Sequence, residues 1–318
     1  DANGCTATST QNISAPNAPS FTTATSTDVS CNGGNDGTIT VQTTGGTNPI
    51  NYNLQPTNQT NLSGSFTNLA ANTYTITATD LNGCSVQTQL TIAEPTVLSW
   101  TSATGTNISC NGGSDGTITS QATGGTGTIN YTLQPTNQTN TTGSYSNLAA
   151  NTYTITATDQ NGCTTTTQVT ISEPTPLSWT SATATNVSCN GGTDGTITSQ
   201  ATGGTGSINY TLQPTNQTNT TGSYSNLAAN TYTITATDQN GCTTTTQVTI
   251  TEPLPLQITN IASTNPTCVP GNDGSLTVSA TGGTTNYQYS LNGGIQQASN
   301  TFSNLGSGVY TIQVTDAN

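Results

Sequence analysis

The sequence predicts an all-β chain built of tandem sandwich repeats, about 79 residues each. Three observations carry that reading. The cysteines keep a fixed step: Cys31, Cys110, Cys189 and Cys268 lie 79 residues apart, and Cys5, Cys84, Cys163 and Cys242 form a second series with the same step. Short runs alternate apolar residues with Thr, the period of a half-buried strand. Turn residues (Gly, Asn, Asp) punctuate the chain every 8–12 residues or so, as in sandwiches, and no segment shows a helical period.

A fixed internal period marks a repeat array. Its phase divides the chain into residues 1–16, expected to be the last strand of a preceding copy, then 17–95, 96–174 and 175–253 as full repeats. Residues 254–318 form a fourth repeat that lacks its last strand. The chain is thus expected to be part of a longer array.

The copy 96–174 can be read strand by strand. Leu98 and Trp100 alternate with polar residues in a first strand. The Asp115-Gly116 turn leads into Thr117-Ile118-Thr119. After Gly124-Gly125, Ile129, Tyr131 and Leu133 share one face. The polar stretch Pro135 to Gly143 is open between a loop and a short extra strand. Tyr145 to Leu148 is brief. Tyr153, Ile155 and Ala157 then alternate with Thr, Asp159 to Gly162 turns, and Cys163 to Ile171 closes the copy. Thr suits the exposed faces because its branched Cβ packs well on a pleated surface. Glu94-Pro95, Glu173-Pro174 and Glu252-Pro253 recur between copies, and Pro stiffens each junction by fixing φ. Sandwiches of about 35–40 Å in single file predict an extended rod of about 150 Å for four copies.

Composition removes whole classes of function. The chain has no Lys, Arg or His, 13 Asp and Glu, and a formal charge of −13. Without His there is no ordinary general base near neutral pH, and without Lys there is no Schiff base. Phosphate has no cation to meet, so nucleic acid and anionic membrane surfaces are not expected partners. No catalytic residue is assigned, and the chain is not expected to be an enzyme. At 29% the hydrophobic share is low, against roughly 45–50% in ordinary domains, so each core is thin. Disulfides are the expected supplement, and they imply export to an oxidising place.

Each candidate site has a plain structural alternative. Pairing within repeats gives Cys31–Cys84, Cys110–Cys163 and Cys189–Cys242, with Cys5 and Cys268 bonded outside the chain. The alternative joins Cys84 to Cys110 across a junction, and strand parity decides between them. No cofactor is expected; zinc is not expected, because the chain has no CxxC and no His, and calcium is the metal candidate, through the oxygens of Asp115, Asp159 and Glu173. Against it, Asp in such motifs caps tight turns. Phe21, Trp100 and Trp179 share one core position, with Ile258 in the last copy. Tyr74, Tyr153, Tyr232 and Tyr310 share another that resembles a tyrosine corner. The Thr rows, such as Thr164 to Thr167, could present a glycan- or ice-binding face, or simply a solvated one. Asn58, Asn61, Asn137, Asn140, Asn216 and Asn219 begin glycosylation sequons in one loop.

Four motifs carry a family resemblance: C-N-G-G-x-D-G at Cys110–Gly116, G-G-T at Gly124–Thr126, L-A-A-N-T-Y at Leu148–Tyr153, and T-D-x-N-G-C at Thr158–Cys163. The chain resembles the SprB-type repeats of very large surface adhesins in gliding Bacteroidota. The resemblance implies immunoglobulin-like sandwiches, a bacterial cell-surface location, and service as a stalk or filament. Expected partners are further repeats or parallel chains of the same fibre, and surface glycans.

Overall fold

A computed structural model describes residues 2–268 and 270–318. The chain is all-β, and each complete repeat folds into seven strands. Repeat 1 holds β1 (Ser20–Thr27), β2 (Gly37–Thr44), β3 (Asn51–Gln55), β4 (Gln59–Asn61), β5 (Ser65–Leu69), β6 (Asn72–Thr79) and β7 (Ser85–Ile92). Repeat 2 follows with β8 (Ser99–Thr106), β9 (Gly116–Thr123), β10 (Asn130–Gln134), β11 (Gln138–Asn140), β12 (Ser144–Leu148), β13 (Asn151–Thr158) and β14 (Thr164–Ile171). Repeat 3 comprises β15 (Ser178–Thr185), β16 (Gly195–Thr202), β17 (Asn209–Gln213), β18 (Gln217–Asn219), β19 (Ser223–Leu227), β20 (Asn230–Thr237) and β21 (Thr243–Ile250). Repeat 4 has five strands: β22 (Gln257–Thr264), β23 (Gly274–Thr281), β24 (Gln288–Leu291), β25 (Thr301–Leu305) and β26 (Ile312–Thr315).

In repeat 1 the strands form two antiparallel sheets, ordered β1-β2-β5 and β4-β3-β6-β7. With the seven strands lettered A, B, C, C′, E, F and G, these are an ABE sheet and a C′CFG sheet. That is the arrangement of an immunoglobulin-like sandwich. Repeats 2 and 3 reproduce it, as β8-β9-β12 with β11-β10-β13-β14 and as β15-β16-β19 with β18-β17-β20-β21. The polar stretch that the sequence leaves open does hold strand C′, three residues of Gln-Thr-Asn paired with strand C.

The inner faces of the two sheets supply one small core per repeat. In repeat 1, Ile39 and Val41 of β2 and Phe66 of β5 meet Leu54, Tyr74, Ile76, Ala78 and Ile92 of the other sheet. The period-2 pattern puts these residues inside and their Thr neighbours outside. Tyr74 donates from its hydroxyl to the carbonyl of Ala70 (2.9 Å), and Tyr153, Tyr232 and Tyr310 make the same bond to Ala149, Ala228 and Gly306. Trp100 packs on Tyr131 with ring centroids 5.9 Å apart, so the shared aromatic position is a packing one.

Residues 5–16 carry no strand, although they have the sequence of one. A last strand needs the preceding strand F beside it, and the chain contains none ahead of residue 16. The described chain falls into two compact units, residues up to 107 with 114–172, and residues 108–113 with 173–318.

Candidate functional site at the repeat junctions

The motifs converge on the A–B loop, the F–G turn and the Glu-Pro linker. In the first unit, the A–B loop turns at Cys31-Asn32-Gly33-Gly34, closed by a Gly34 N–H bond to the Cys31 carbonyl (2.9 Å). Gly33 has φ +73°, a left-handed conformation that glycine adopts at little cost. Asp36 braces the loop by accepting from the backbone N–H of Ser30 (3.0 Å) and from its hydroxyl. The Ser30 hydroxyl and then its N–H hold the Asp36 carboxyl below the ordinary carboxylate pKa. Asp194 and Asp273 repeat the arrangement with Ser188 and Thr267.

The braced loop grips the segment after strand G of its own repeat. Gly33 N–H donates to Glu94 Oε2 (2.8 Å), Asn32 Nδ2 donates to the Pro95 carbonyl (3.0 Å), and Ala93 N–H donates to Asp28 Oδ1 (2.8 Å). The second unit repeats the grip twice. Gly112 donates to Glu173 and Asn111 to Pro174, then Gly191 to Glu252 and Asn190 to Pro253, all at 2.7–3.1 Å.

The F–G turn is organised by an acidic residue of its own. Asp159, only 3% exposed, accepts N–H bonds from Thr126 (2.7 Å), Asn161 (3.0 Å) and Cys163 (2.8 Å). It thereby ties the F–G turn to the G-G-T turn. Gly125 lies against it at φ +67°, where an added Cβ would stand 2.6 Å from the carboxylate. Desolvation works to raise the Asp159 pKa; the N–H donors, Thr126 first, outweigh it and lower the pKa. Asp80 and Asp238 do the same in their repeats.

The tip of this turn meets the A–B loop of the repeat before it. Cys163 is bonded to Cys31, with an S–S distance of 2.03 Å and Cα atoms 5.7 Å apart, and Asn161 Nδ2 donates to the Ser30 carbonyl (3.0 Å). In the second unit Cys242 is bonded to Cys110 and Asn240 donates to Ser109. Asn318 makes the same bond to Ser188 (2.9 Å), beside Cys189.

This overturns the expected pairings Cys31–Cys84, Cys110–Cys163 and Cys189–Cys242, and the alternative Cys84–Cys110 with them. Cys84, Cys189 and Cys268 are exposed and unpaired. The physical reason is parity. Strand C′ brings to five the strands between the A–B loop and the F–G turn of one repeat, so the two stand at opposite ends of the sandwich. Strand G ends beside the A–B loop, and the linker leaves from there. The F–G turn of the following repeat therefore arrives at that loop, 132 residues along the chain.

The calcium candidates are otherwise engaged. Asp159 serves its turn, Glu173 accepts from Gly112, and Asp115, just ahead of β9, is not without an interaction partner. Among the described residues no three Cys, Asp or Glu side chains cluster as a metal-ligand set. The Thr rows pair across strands, as in the Thr152–Thr170 hydroxyl bond of 3.0 Å.

The SprB repeat family model matches four tandem segments, residues 23–59, 102–138, 181–217 and 260–295. Comparison with curated proteins gives no match. Among solved structures, the chain is similar to Sidekick-1 immunoglobulin domains 1–5 at 13% identity and a TM-score of 0.32, covering 75% of this chain and 60% of that one. Surface layer protein SbsC, domains 1–6, is also 13% identical, with a TM-score of 0.28 and coverage of 94% and 52%. The human Desmocollin-1 ectodomain gives 13% and 0.25, with coverage of 94% and 77%. The chain thus spans 60% or less of the length of the first two; at such scores the fold rests on the sheet topology.

Proposed function

We propose that this chain, an array of SprB repeats, is a structural stretch of an extracellular surface fibre or adhesin stalk, supplying length and stiffness rather than chemistry. One observation carries the reading: the same three-part clamp recurs at successive junctions, pinning the linker, hydrogen-bonding the next repeat and, at two of them, bonding it covalently. An enzyme or a ligand-binding module gains nothing from identical joints, whereas a fibre gains resistance to bending at each one. The disulfides also favour an oxidising, cell-surface setting.

The test is electron microscopy of the purified chain, oxidised and after reduction. Oxidised particles should be straight rods of four beads, about 150 Å long. Reduction should leave the beads intact and broaden the distribution of angles between them. Compact oxidised particles, or an angular distribution indifferent to reduction, would sink the proposal.

A further inference from the structure

Each of the two disulfides has an Asn-Gly pair on both of its sides. Cys31-Asn32-Gly33 meets Asn161-Gly162-Cys163, and Cys110-Asn111-Gly112 meets Asn240-Gly241-Cys242. Asn-Gly is the sequence most prone to lose its side-chain ammonia, because glycine has no Cβ to shield its nitrogen. In the closed joint both reacting groups of each pair are occupied. Asn111 Nδ2 donates to the Pro174 carbonyl (3.1 Å) and Gly112 N–H to Glu173 Oε2 (2.7 Å). Asn32 and Gly33 are held in the same way by Pro95 and Glu94, and Asn190 and Gly191 by Pro253 and Glu252. On the other side of the disulfide, Asn161 Nδ2 donates to the Ser30 carbonyl (3.0 Å) and Gly162 N–H to the Asp159 carbonyl (3.1 Å). Asn240 and Gly241 repeat this with Ser109 and Asp238.

Each of these asparagine side chains is thus held by a bond between separate segments, loop to linker or turn to preceding repeat. Those bonds are lost when the joint opens. We propose that the Asn-Gly pairs are latent self-modification sites, guarded while the joint is closed and deamidated once it opens. At Asn111 the step is an internal substitution. The Gly112 nitrogen gives up its proton to solvent and bonds to Asn111 Cγ, the bond from Cγ to Nδ2 breaks, and ammonia leaves. Water then opens the five-membered imide at either carbonyl, giving aspartate or isoaspartate. Water is the sole co-reactant, and nothing is oxidised or reduced.

The product cannot rebuild the joint. A carboxylate at position 111 has no N–H for the Pro174 carbonyl, and it stands near the carboxylate of Glu173. An isoaspartate also adds a methylene to the main chain, which displaces the Gly112 N–H. The chain has no Lys or Arg to neutralise the new charge. A joint opened by reduction or by pulling therefore becomes a permanently loosened one. In repeat 4 the corresponding residues are Val269 and Pro270. Proline has no N–H to give up, so that loop cannot convert.

The experiment incubates the full chain at mildly alkaline pH in three states: oxidised, reduced and alkylated, and unfolded in urea. Chymotryptic digestion and mass spectrometry then read amide-to-acid conversion site by site. Asn32, Asn111, Asn161 and Asn240 should convert slowly in the oxidised chain, and at rates approaching those of the unfolded chain after reduction. Glu173→Ala removes an exposed side chain and should speed conversion at Asn111 roughly tenfold, the worth of one hydrogen bond to a charged group. Asn32 and Asn190 should keep their rates in that variant and serve as internal standards. Asn111→Asp should lower the recovery of Cys110–Cys242 on reoxidation and leave Cys31–Cys163 unaffected. Equal rates in the oxidised and unfolded chains, or no response to reduction, overturn the proposal. So does an unchanged or slower rate at Asn111 in Glu173→Ala, the slower one meaning that the carboxylate acts on Gly112 as a base and not as a guard. Full recovery of the disulfide in Asn111→Asp overturns the permanence. These rates do not depend on the shape of the array, so the stalk reading stands or falls separately.

Discussion

At the scale of single residues, the repeats differ most in one corner of the core. Repeat 1 places Phe21, Val41 and Phe66 where repeats 2 and 3 place Trp, Ser and Tyr: Trp100, Ser120 and Tyr145, then Trp179, Ser199 and Tyr224. Ser120 is satisfied by the Gly143 carbonyl (2.9 Å), but Trp100 Nε1 and the Tyr145 hydroxyl are buried with no partner among the described residues. Burial, with neighbouring Tyr131 adding, pushes the Tyr145 pKa up to about 12, and Tyr224 matches it. A folded pKa above the unfolded value of about 10 means stability that is complete below pH 10 and lost as pH rises towards 12. Absorbance titration should therefore show two late-ionising tyrosines, coincident with alkaline unfolding of repeats 2 and 3. Tyr145→Phe, the residue type of repeat 1, should leave repeat 2 as stable or raise its stability by about 1 kcal/mol, because an unmet hydroxyl is removed. A clear loss of stability would mean that the hydroxyl has a bonding partner.

At the scale of elements, the F–G hairpin depends on an acidic side chain used as a backbone acceptor. Asp159 joins two turns by accepting from Thr126, Asn161 and Cys163. Asp159→Ala leaves those N–H groups unmet and should cost repeat 2 about 1–3 kcal/mol, read by thermal unfolding; an unchanged midpoint would refute the role. The pH sign is set by the lowered pKa values of Asp80, Asp159 and Asp238. Their contribution is present above the unfolded carboxylate pKa of about 3.9 and is lost as pH falls through the lower folded values. Stability should stay level from about pH 5 to pH 9 and fall on either side. Much of this level was legible beforehand. D-x-N-G and G-G-T read as turns because Asp and Gly have turn chemistry, and the alternation of Tyr153, Ile155 and Ala157 reads as a buried strand face. Strand C′ was not legible: Gln138–Asn140 is short and wholly polar, and its pairing to Tyr131–Leu133 leaves no apolar period.

At the scale of the whole molecule, the two disulfides interlock, since Cys110 lies inside the loop closed by Cys31–Cys163, and Cys163 lies inside the loop closed by Cys110–Cys242. The shortest covalent route from end to end runs to Cys31, crosses to Cys163, returns to Cys110, crosses to Cys242 and continues to Asn318. That is about half of the residues. Pulled from its ends, the oxidised chain should reach a full extension of about 550 Å after unfolding, against about 1,100 Å once reduced, at about 3.5 Å per residue. Single-molecule stretching reads this directly, and equal lengths in the two states would contradict the cross-repeat pairing. In the chain-entropy model a bond closing a loop of 132 residues is worth about 5 kcal/mol. Here it acts on two repeats together, so Cys163→Ser should loosen the joint more than it destabilises either sandwich.

The sequence by itself determined the repeat period, the all-β class, the inward-facing residues and the turns, because these depend on neighbours a few positions apart or on identity between copies. It also determined that the chain has no Lys, Arg or His side chain to supply a positive charge. Only the tertiary structure decided which cysteines meet and what the acidic residues hold. Cys31 and Cys163 are brought together by strand count and linker direction, quantities summed over a whole repeat. A three-residue polar strand with almost no sequence signal changes that sum by one, and so moves one partner of every bond from one end of the sandwich to the other.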